Sequence, residues 1–340
     1  MPRQQQRKLD HIRICIEEDV AFHQTTTGFD RYRFLHRALP ELDMREIDTS
    51  TTVLGRTLRA PLIISAITGA TELSRRINRH LAAAAQSLGV GLGLGSQRPA
   101  IESPKLADSY QVRDVAPDIL LLANVGAVQL NYGFGARECR AAVEMIGADA
   151  LALHLNPLQE AIQPEGQTNF ANLLEKISEI CAALPVPVIV KEVGNGISGE
   201  VAAQLLATGV AGIDVAGAGG TSWARVELHR QKDRRRQETA EVFGEWGIPT
   251  AESIEMVRAV GAEITLIASG GIRNGVDAAK AIALGADAFG LAGPLVEPAV
   301  ASSEAVEAAL SAIIEQLRVA MFCTGSRNVV ALRAAQMKRV

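Results

Sequence analysis

His154, Asn156, Gln159 and Glu160 leave the end of one apolar run together, in the segment Ala-Leu-His154-Leu-Asn156-Pro157-Leu-Gln159-Glu160. Residues 148–155 read as a buried strand. A buried imidazole, two amides and a carboxylate each need a hydrogen-bonding partner or cost roughly 1–3 kcal/mol. Facing a cavity and meeting a ligand satisfies all four. Glu160 has the character of a Mg²⁺ ligand, because magnesium usually takes one or two carboxylates together with substrate phosphate oxygens and waters. The alternative is an exposed carboxylate favoured by a helix start. Asn156 lies two residues beyond His154 and shares its facing if strand geometry continues.

A second cluster, Ser269-Gly270-Gly271-Ile272-Arg273, ends another apolar run, and Gly290-Leu291-Ala292-Gly293 ends the next. Small residues there expose backbone N–H groups near a helix start, which makes an anion nest for a phosphate, with Arg273 as a charged donor. Tight turns that only close the fold are the alternative. The run Gly217-Ala218-Gly219-Gly220-Thr221 reads as a further ligand wall or as a hinge. Lys191 ends Val-Ile-Val-Lys-Glu-Val, where a cation could stabilise an electron-rich ring; a snorkelling surface lysine is the other reading. Arg7-Lys8-Leu-Asp10-His11 is ambiguous, since nothing in its spacing places it near the other groups.

The elements that must position these residues recur along the chain. Strands are expected near 61–66, 90–95, 119–125, 150–155, 186–193, 212–216, 265–269 and 288–292, most of them separated by a helical stretch such as 73–88 or 276–284. Gly89, Gly147, Gly209 and Gly285 each close a helix before the next strand. Eight strands apolar on both faces point to an α/β fold of the (β/α)8 TIM-barrel type. An open doubly wound sheet would usually carry a G-x-G-x-x-G loop after its first strand, and 65–71 lacks it. The expected organisation is one barrel domain over 1–340, with an N-terminal extension at 1–58 and an insertion after strand six at 223–246. That insertion reads as a solvated helix, a loop or a moving lid. In such a barrel functional groups gather at the C-terminal strand ends, and collecting those ends yields a polar ring that includes Ser65, Thr68, Ser96, Gln97, Arg98, Asn124, Gln129, His154 and Lys191. Residues 304–318 read as an amphipathic final helix.

Composition narrows the class. Hydrophobic residues are 48% and aromatics 4%, so the core is aliphatic and rich in alanine. A net charge of −4 argues against nucleic acid as a partner. Cys15, Cys139, Cys181 and Cys323 form no C-x-x-C pair, which favours reduced thiols in a cytoplasm. No run reaches the ~20 apolar residues of a membrane span, and the start, Met-Pro-Arg-Gln-Gln-Gln-Arg-Lys, has no apolar signal core.

Taken together, several motifs make the chain similar to the type 2 isopentenyl-diphosphate isomerases. They are Arg7-Lys8-x-Asp10-His11, Ala38-Leu39-Pro40-Glu41, Ile63-Ile64-Ser65-Ala66-Ile67-Thr68-Gly69, Gly95-Ser96-Gln97-Arg98, Asn124-Val-Gly126-Ala127 and His154 to Glu160. Pro164-Glu165-Gly166, Val190-Lys191-Glu192-Val193-Gly194, Gly219-Gly220-Thr221-Ser222-Trp223, Ser269 to Arg273 and Thr324-Gly325-Ser326 complete the set, which covers nearly the whole chain. The Arg-Lys start combined with Ser-Gln-Arg and Leu-Asn-Pro-Leu-Gln-Glu is the specific part; the glycine turns occur in many FMN barrels.

The resemblance implies an isomerase that interconverts isopentenyl and dimethylallyl diphosphate in isoprenoid biosynthesis, with reduced FMN donating and accepting the proton, Mg²⁺ on the substrate, and NADPH as the priming reductant. It implies FMN contacts at Ser65, Ala66, Ile67, Thr68, Ser96, Asn124, Lys191, Thr221, Gly271, Ile272, Arg273, Ala292 and Gly293. Substrate would meet Arg7, Lys8, Ser96, Gln97, Arg98, His154, Asn156 and Gln159, and Glu160 would bind Mg²⁺. Gln159, His154 and Lys191 would serve the reaction itself. The family's N-terminal segment reaches the substrate site, within one subunit or from a neighbour, and a homo-oligomer (tetramer or octamer) is expected. Three positions depart from the family pattern: Ala216 where a hydroxyl is frequent, Gln167 where an acid is common and Ala70 in place of a frequent glycine. The alternative function is an FMN-dependent 2-hydroxy-acid oxidoreductase, which needs a His base and an Arg carboxylate clamp.

Overall fold

Residues 3–340 are described in the computed structural model. Eight parallel strands close into a barrel: Leu62–Ile64, Gly91–Gly93, Leu121–Gly126, Ala150–His154, Val188–Lys191, Gly212–Asp214, Thr265–Ala268 and Ala288–Leu291. The last pairs with the first through Gly290 and Ile63. All eight lie where the apolar runs place them, and most are shorter, because the strand ends peel away into loops before the apolar pattern stops.

Period-two alternation sorts each strand into two faces. Ile63, Leu122, Ala150, Ala152, Ile189, Ile267 and Ala288 point inward and form one aliphatic cluster with Val53 and Leu58. The latter two come from the hairpin of Thr51–Val53 and Arg56–Leu58, which plugs the base. Leu62, Ile64, Leu121, Leu151, Val190 and Phe289 point outward into the larger core shared with the helices. Two residues further along, the inward positions turn polar: Ser65, Asn124, Lys191 and Asp214 lie directly above the aliphatic layer.

Helices start and stop on local signals. Glu72–Leu88 begins where the Thr71 side chain accepts the Ser74 N–H, and ends at Gly89 with φ 65°. The final amphipathic helix runs further than expected, over Ser303–Thr324, between the Ser302 cap and Gly325 at φ 69°. Ala70 adopts φ 73°, which explains a glycine preference at that position.

The N-terminal extension opens with helix Arg3–Glu17 and then crosses to the loop after strand six, where Phe22 N donates to Gly220 O (3.1 Å) and Ser222 N to Val20 O (2.8 Å). The insertion forms two short helices, Trp223–Arg230 and Arg234–Val242, the second capped by Asp233. Tyr32–Phe34 pairs antiparallel with Met337–Arg339, tying both chain ends together.

The base carries a repeated clamp. Arg113 donates to the carbonyls of Ala116, Ile119 and Gly147 and to Asp149, whose carboxylate also accepts the Leu121 N–H. Arg258 does the same with Gly261, Ile264, Gly285 and Asp287, and Asp287 accepts the Leu266 N–H. A second arginine, Arg56 or Arg333, completes each carboxylate. Both aspartates sit in Gly-Ala-Asp-Ala, before strands four and eight. Burial pushes the Asp149 carboxyl up, but the Leu121 N–H and the two guanidiniums outweigh it, and its pKa is lowered on balance. A lowered carboxyl contributes stability above its unfolded pKa, and that contribution disappears as pH falls through the folded value. Asp149→Asn is therefore expected to lower unfolding stability by about 2–3 kcal/mol at pH 7. In urea titrations the gap to the parent protein should close as pH drops below about 4.

Candidate active site

A cavity of ≈ 610 Å³ opens at the C-terminal ends of the strands, within the ~300–1,000 Å³ of small-molecule sites. One end is glycine-walled. Gly270 (φ 105°) and Gly271 (φ 71°) pack backbone to backbone against the loop after strand six. A Cβ on Gly271 would lie 2.6 Å from the Gly219 carbonyl, and one on Gly220 would lie 2.5 Å from the Gly271 nitrogen. These loops face the cavity with Ile272, Arg273, Ala292 and Gly293, just ahead of the helix Gly275–Ala283 that Asn274 caps. Bare backbone at a helix start suits a phosphate.

The middle of the cavity is the polar layer of the barrel. Asn124 donates its amide to Leu94 O (3.0 Å), which turns its Oδ1 to His154 Nδ1 at 2.7 Å. His154 therefore carries its proton on Nδ1, and Nε2 is an acceptor in the neutral ring. Burial, then Lys191, Lys8 and Arg7, push its pKa down to about 3. Lys191 Nζ lies 4.0 Å from Asp214 Oδ2 and donates to the Glu192 carbonyl. Burial pushes the Asp214 carboxyl up, opposed by Lys191, the Ser269 hydroxyl and the Ala216 N–H. Ser65 Oγ is buried without a protein partner.

The other end is cationic. Arg7 and Lys8 line it from the N-terminal helix of the same chain, with Arg98 opposite. Burial, and then Arg7, push Lys8 down to about 8. Arg98 is held by Glu102 and by Gln167 Oε1 (2.8 Å), which also accepts from Gln129. Glu160 is buried and accepts from Asn156 Nδ2 (3.0 Å), Gln163 Nε2 (2.5 Å) and the Gln167 N–H (2.6 Å). A carboxylate offers about four lone-pair sites, so one stays free for a cation. Among the described residues no cluster of three or more metal-ligating side chains occurs.

Of the residues singled out in the sequence, Ser65, Ala66, Ile67, Thr68, Ser96, Thr221 and those named above line this one cavity, together with Asn156, Gln159 and Glu160. Gln97 does not, and that expectation is corrected. Its side chain is fully buried behind the wall, where Oε1 accepts the Asn124 N–H (2.9 Å) and Nε2 donates to Ala142 O (2.8 Å). At the turn into helix Arg98–Glu102 the side chain between Ser96 and Arg98 points the opposite way.

Glu227 and Arg230 escaped the sequence reading, and His11 and Trp223, quoted there only within motifs, had no partner assigned. Glu227, fully buried, accepts from His11 Nε2 (3.0 Å), Arg230 Nη1 (2.5 Å) and Gln159 Nε2 (3.4 Å). Burial pushes its carboxyl up, but His11 and Arg230 outweigh it and the net direction is down, so Glu227 is the anion of the group. Trp223 meets the His11 ring edge-on at 5.0 Å. Arg7, Lys8, His11 and Cys15 share the helical i, i+3, i+4 stripe, a signal present in residues 3–17 all along. Glu227 and Arg230 share a face by the same rule. Gln97→Ala is expected to lower stability by roughly 1–3 kcal/mol through its two stranded backbone partners. Steady-state kinetics of the folded variant should show substrate KM within about twofold of the parent, because a buried group outside the cavity makes no direct ligand contact.

Comparison with known proteins gives the family. The family model for FMN-dependent dehydrogenases matches residues 2–103 and 136–339. An isopentenyl-diphosphate delta-isomerase of Nostoc sp. is 54% identical over 329 residues, covering 97% of this chain and 94% of that protein. The isomerase of Synechococcus sp. is 56% identical (96% and 94% covered), and that of Rickettsia bellii 49% (98% and 97%). Among solved structures, a mandelate oxidase bound to benzoyl-formic acid superposes with a TM-score of 0.63 at 21% identity, covering 92% of this chain and 88% of the other, which speaks for the fold alone. By these identities and this coverage, the chain belongs to the type 2 isopentenyl-diphosphate delta-isomerases, within the FMN-dependent dehydrogenase family.

Proposed function

We propose that this chain interconverts isopentenyl and dimethylallyl diphosphate by adding and removing a proton, using reduced FMN and Mg²⁺. The observation that carries the reading is one cavity with two anion-receiving ends: bare glycine backbone near Arg273, and Arg7, Lys8 and Arg98 around Glu160. One end suits a flavin phosphate and the other a diphosphate.

The residues fit both groups. Ser65 Oγ, Asn156 Oδ1 and Arg7 Nε are buried without protein partners, and all belong to the cavity wall. Such atoms cost free energy unless a ligand answers them. Glu160 is one carboxylate with one lone pair left, in keeping with a Mg²⁺ held mainly by substrate oxygens and water.

An unactivated alkene is a poor base, and protonating it yields a tertiary carbocation. Enzymes commonly remove about 8–23 kcal/mol of barrier, and general acid–base transfer supplies only ~10²–10⁴-fold of that. The rest comes from positioning and electrostatics. FMN in its reduced state, when bound, supplies a proton donor and acceptor and an electron-rich ring. Lys191, in the cavity lining, would supply positive charge to such a ring. Gln159 is held in one orientation by Asn156 Nδ2 (3.0 Å) on its oxygen and Glu227 (3.4 Å) on its nitrogen, so it can orient the alkene and the moving proton. His154 is neutral, with its proton on Nδ1 and Nε2 left as an acceptor toward the cavity. Residues of the N-terminal helix and Trp223 line the cavity outside the barrel. NADPH serves only to prime the flavin. A homo-oligomer working in the cytoplasm completes the reading; among the described residues no helix is long and apolar enough to cross a membrane.

The 2-hydroxy-acid reading needs a free His base and a free Arg clamp. His154 and Arg98 could be cast in those parts, but relatives 49–56% identical over nearly the whole chain are isomerases, which favours the first reading.

Purified protein should be yellow or take up FMN, and should turn over isopentenyl diphosphate with FMN, NADPH and Mg²⁺ or with dithionite in place of NADPH. Chelation of Mg²⁺ should abolish turnover, and activity that survives it would remove Glu160 from the proposed role. Lys8, at about 8, is charged below that pH and neutral above it. Substrate KM should therefore climb as pH rises through and beyond 8, by about 10–100-fold for the loss of one charged hydrogen bond. Lys8→Met should start with the high KM and show a flatter profile.

A further inference from the structure

The cation beneath the reaction has a carboxylate of its own. Strand register sets Lys191 beside Asp214 on adjacent strands five and six. Both point inward, into the small cavity of ≈ 20 Å³ between the aliphatic layer and the active site. Asp214 is 4% exposed. Its Oδ1 accepts the Ser269 hydroxyl at 2.6 Å and the Ala216 N–H at 3.3 Å, while Oδ2 faces Lys191 Nζ at 4.0 Å. Glu192, next in sequence to Lys191, feels the ammonium through space but makes no ion pair with it: its Oε2 accepts the N–H groups of Val193, Gly194 and Asn195. An aliphatic residue would pack more cheaply at position 214, since an interior carboxylate costs several kcal/mol unless a charge answers it.

We infer that Asp214, locked in place by Ser269, is a positioning residue for the isomerase: it keeps the Lys191 ammonium charged and aimed at the flavin ring. The inference rests on the functional reading above. A buried lysine with no anion nearby sheds its proton. A carboxylate in full contact would instead take up the ammonium's hydrogen bonds. At 4.0 Å Asp214 holds the charge and leaves the protons of Nζ for the Glu192 carbonyl and for the ligand.

The sign of one measurement separates this role from a plain electrostatic one. Removing a fixed anion by itself would favour reduced, electron-rich flavin and raise its midpoint potential. Loss of the Lys191 charge does the opposite. We expect Asp214→Asn holoenzyme, titrated by spectroelectrochemistry, to bind reduced FMN about tenfold more weakly relative to oxidised FMN, a potential about 30 mV lower. Its kcat should fall at least tenfold, with substrate KM within about twofold. In a Lys191→Met background, where no ammonium is left to lose, the same substitution should no longer lower the potential and should leave it level or raise it slightly through the lost anion. An unchanged or raised potential in Asp214→Asn, or an equal shift in the Lys191→Met background, overturns the inference. Should Asp214→Asn fail to fold, Ser269→Ala loosens the same carboxylate, and a potential that does not fall there overturns it equally. A parent protein that takes up no FMN overturns the functional reading and this inference together. A parent that binds FMN beside an unresponsive variant overturns the inference alone.

Discussion

A charged amine at the top of an aliphatic barrel is tolerable only if its surroundings answer it. Lys191 stands two residues above Ile189, on a strand that is otherwise apolar on both faces. Asp214 and the Glu192 carbonyl supply that answer from below and beside it. The same height in the barrel carries two hydrogen-bonded pairs, His154 with Asn124 at 2.7 Å and Ser269 with Asp214 at 2.6 Å. This single layer converts a packed core into a floor for chemistry. Everything above it, from the glycine loops to the N-terminal helix, is built on that floor.

The two ends of the cavity divide the work by physical means. At one end side chains are excluded: Gly220 and Gly271 approach so closely that a Cβ would collide with backbone. What faces the ligand there is peptide N–H and a helix start, which hold an anion without competing for space. At the other end long cations do the holding. Arg7 and Lys8 crowd one another in a buried pocket, and burial together with mutual repulsion leaves Lys8 poised near neutrality. An anion bound between them would relieve that repulsion.

The mouth is assembled from segments outside the barrel repeat. The extension and the insertion meet through His11, Glu227 and Trp223, and Glu227 in turn touches Gln159. A charged residue deep in a segment rich in Arg, Lys and Gln thus becomes the anion that orients a site amide. The base uses the opposite logic: the paired Arg–Asp clamps before strands four and eight satisfy loop carbonyls and strand starts, and so serve stability.

The barrel and most of its ring were legible in the sequence because they depend on local order. Apolar runs of strand length recur with glycine-closed helices between them, and period two carries the polar residues at their ends inward. The cluster from His154 to Glu160 and the lysine at 191 follow from that pattern, as do the phosphate-suited glycines at 270 and 271. Other features needed the chain to fold. Gln97 lies between two cavity residues yet turns its back on them, since direction at a turn depends on backbone angles that adjacency does not reveal. His11 and Glu227 are 216 positions apart, and Asp214 and Ser269 are 55 apart. Burial turns each of these from an ordinary polar residue into a constrained one, and burial is a property of what packs around a side chain. The sequence by itself determined which groups stand at which strand ends; tertiary structure alone decided which charges answer one another, because that depends on distance and solvent exclusion across segments remote in the chain.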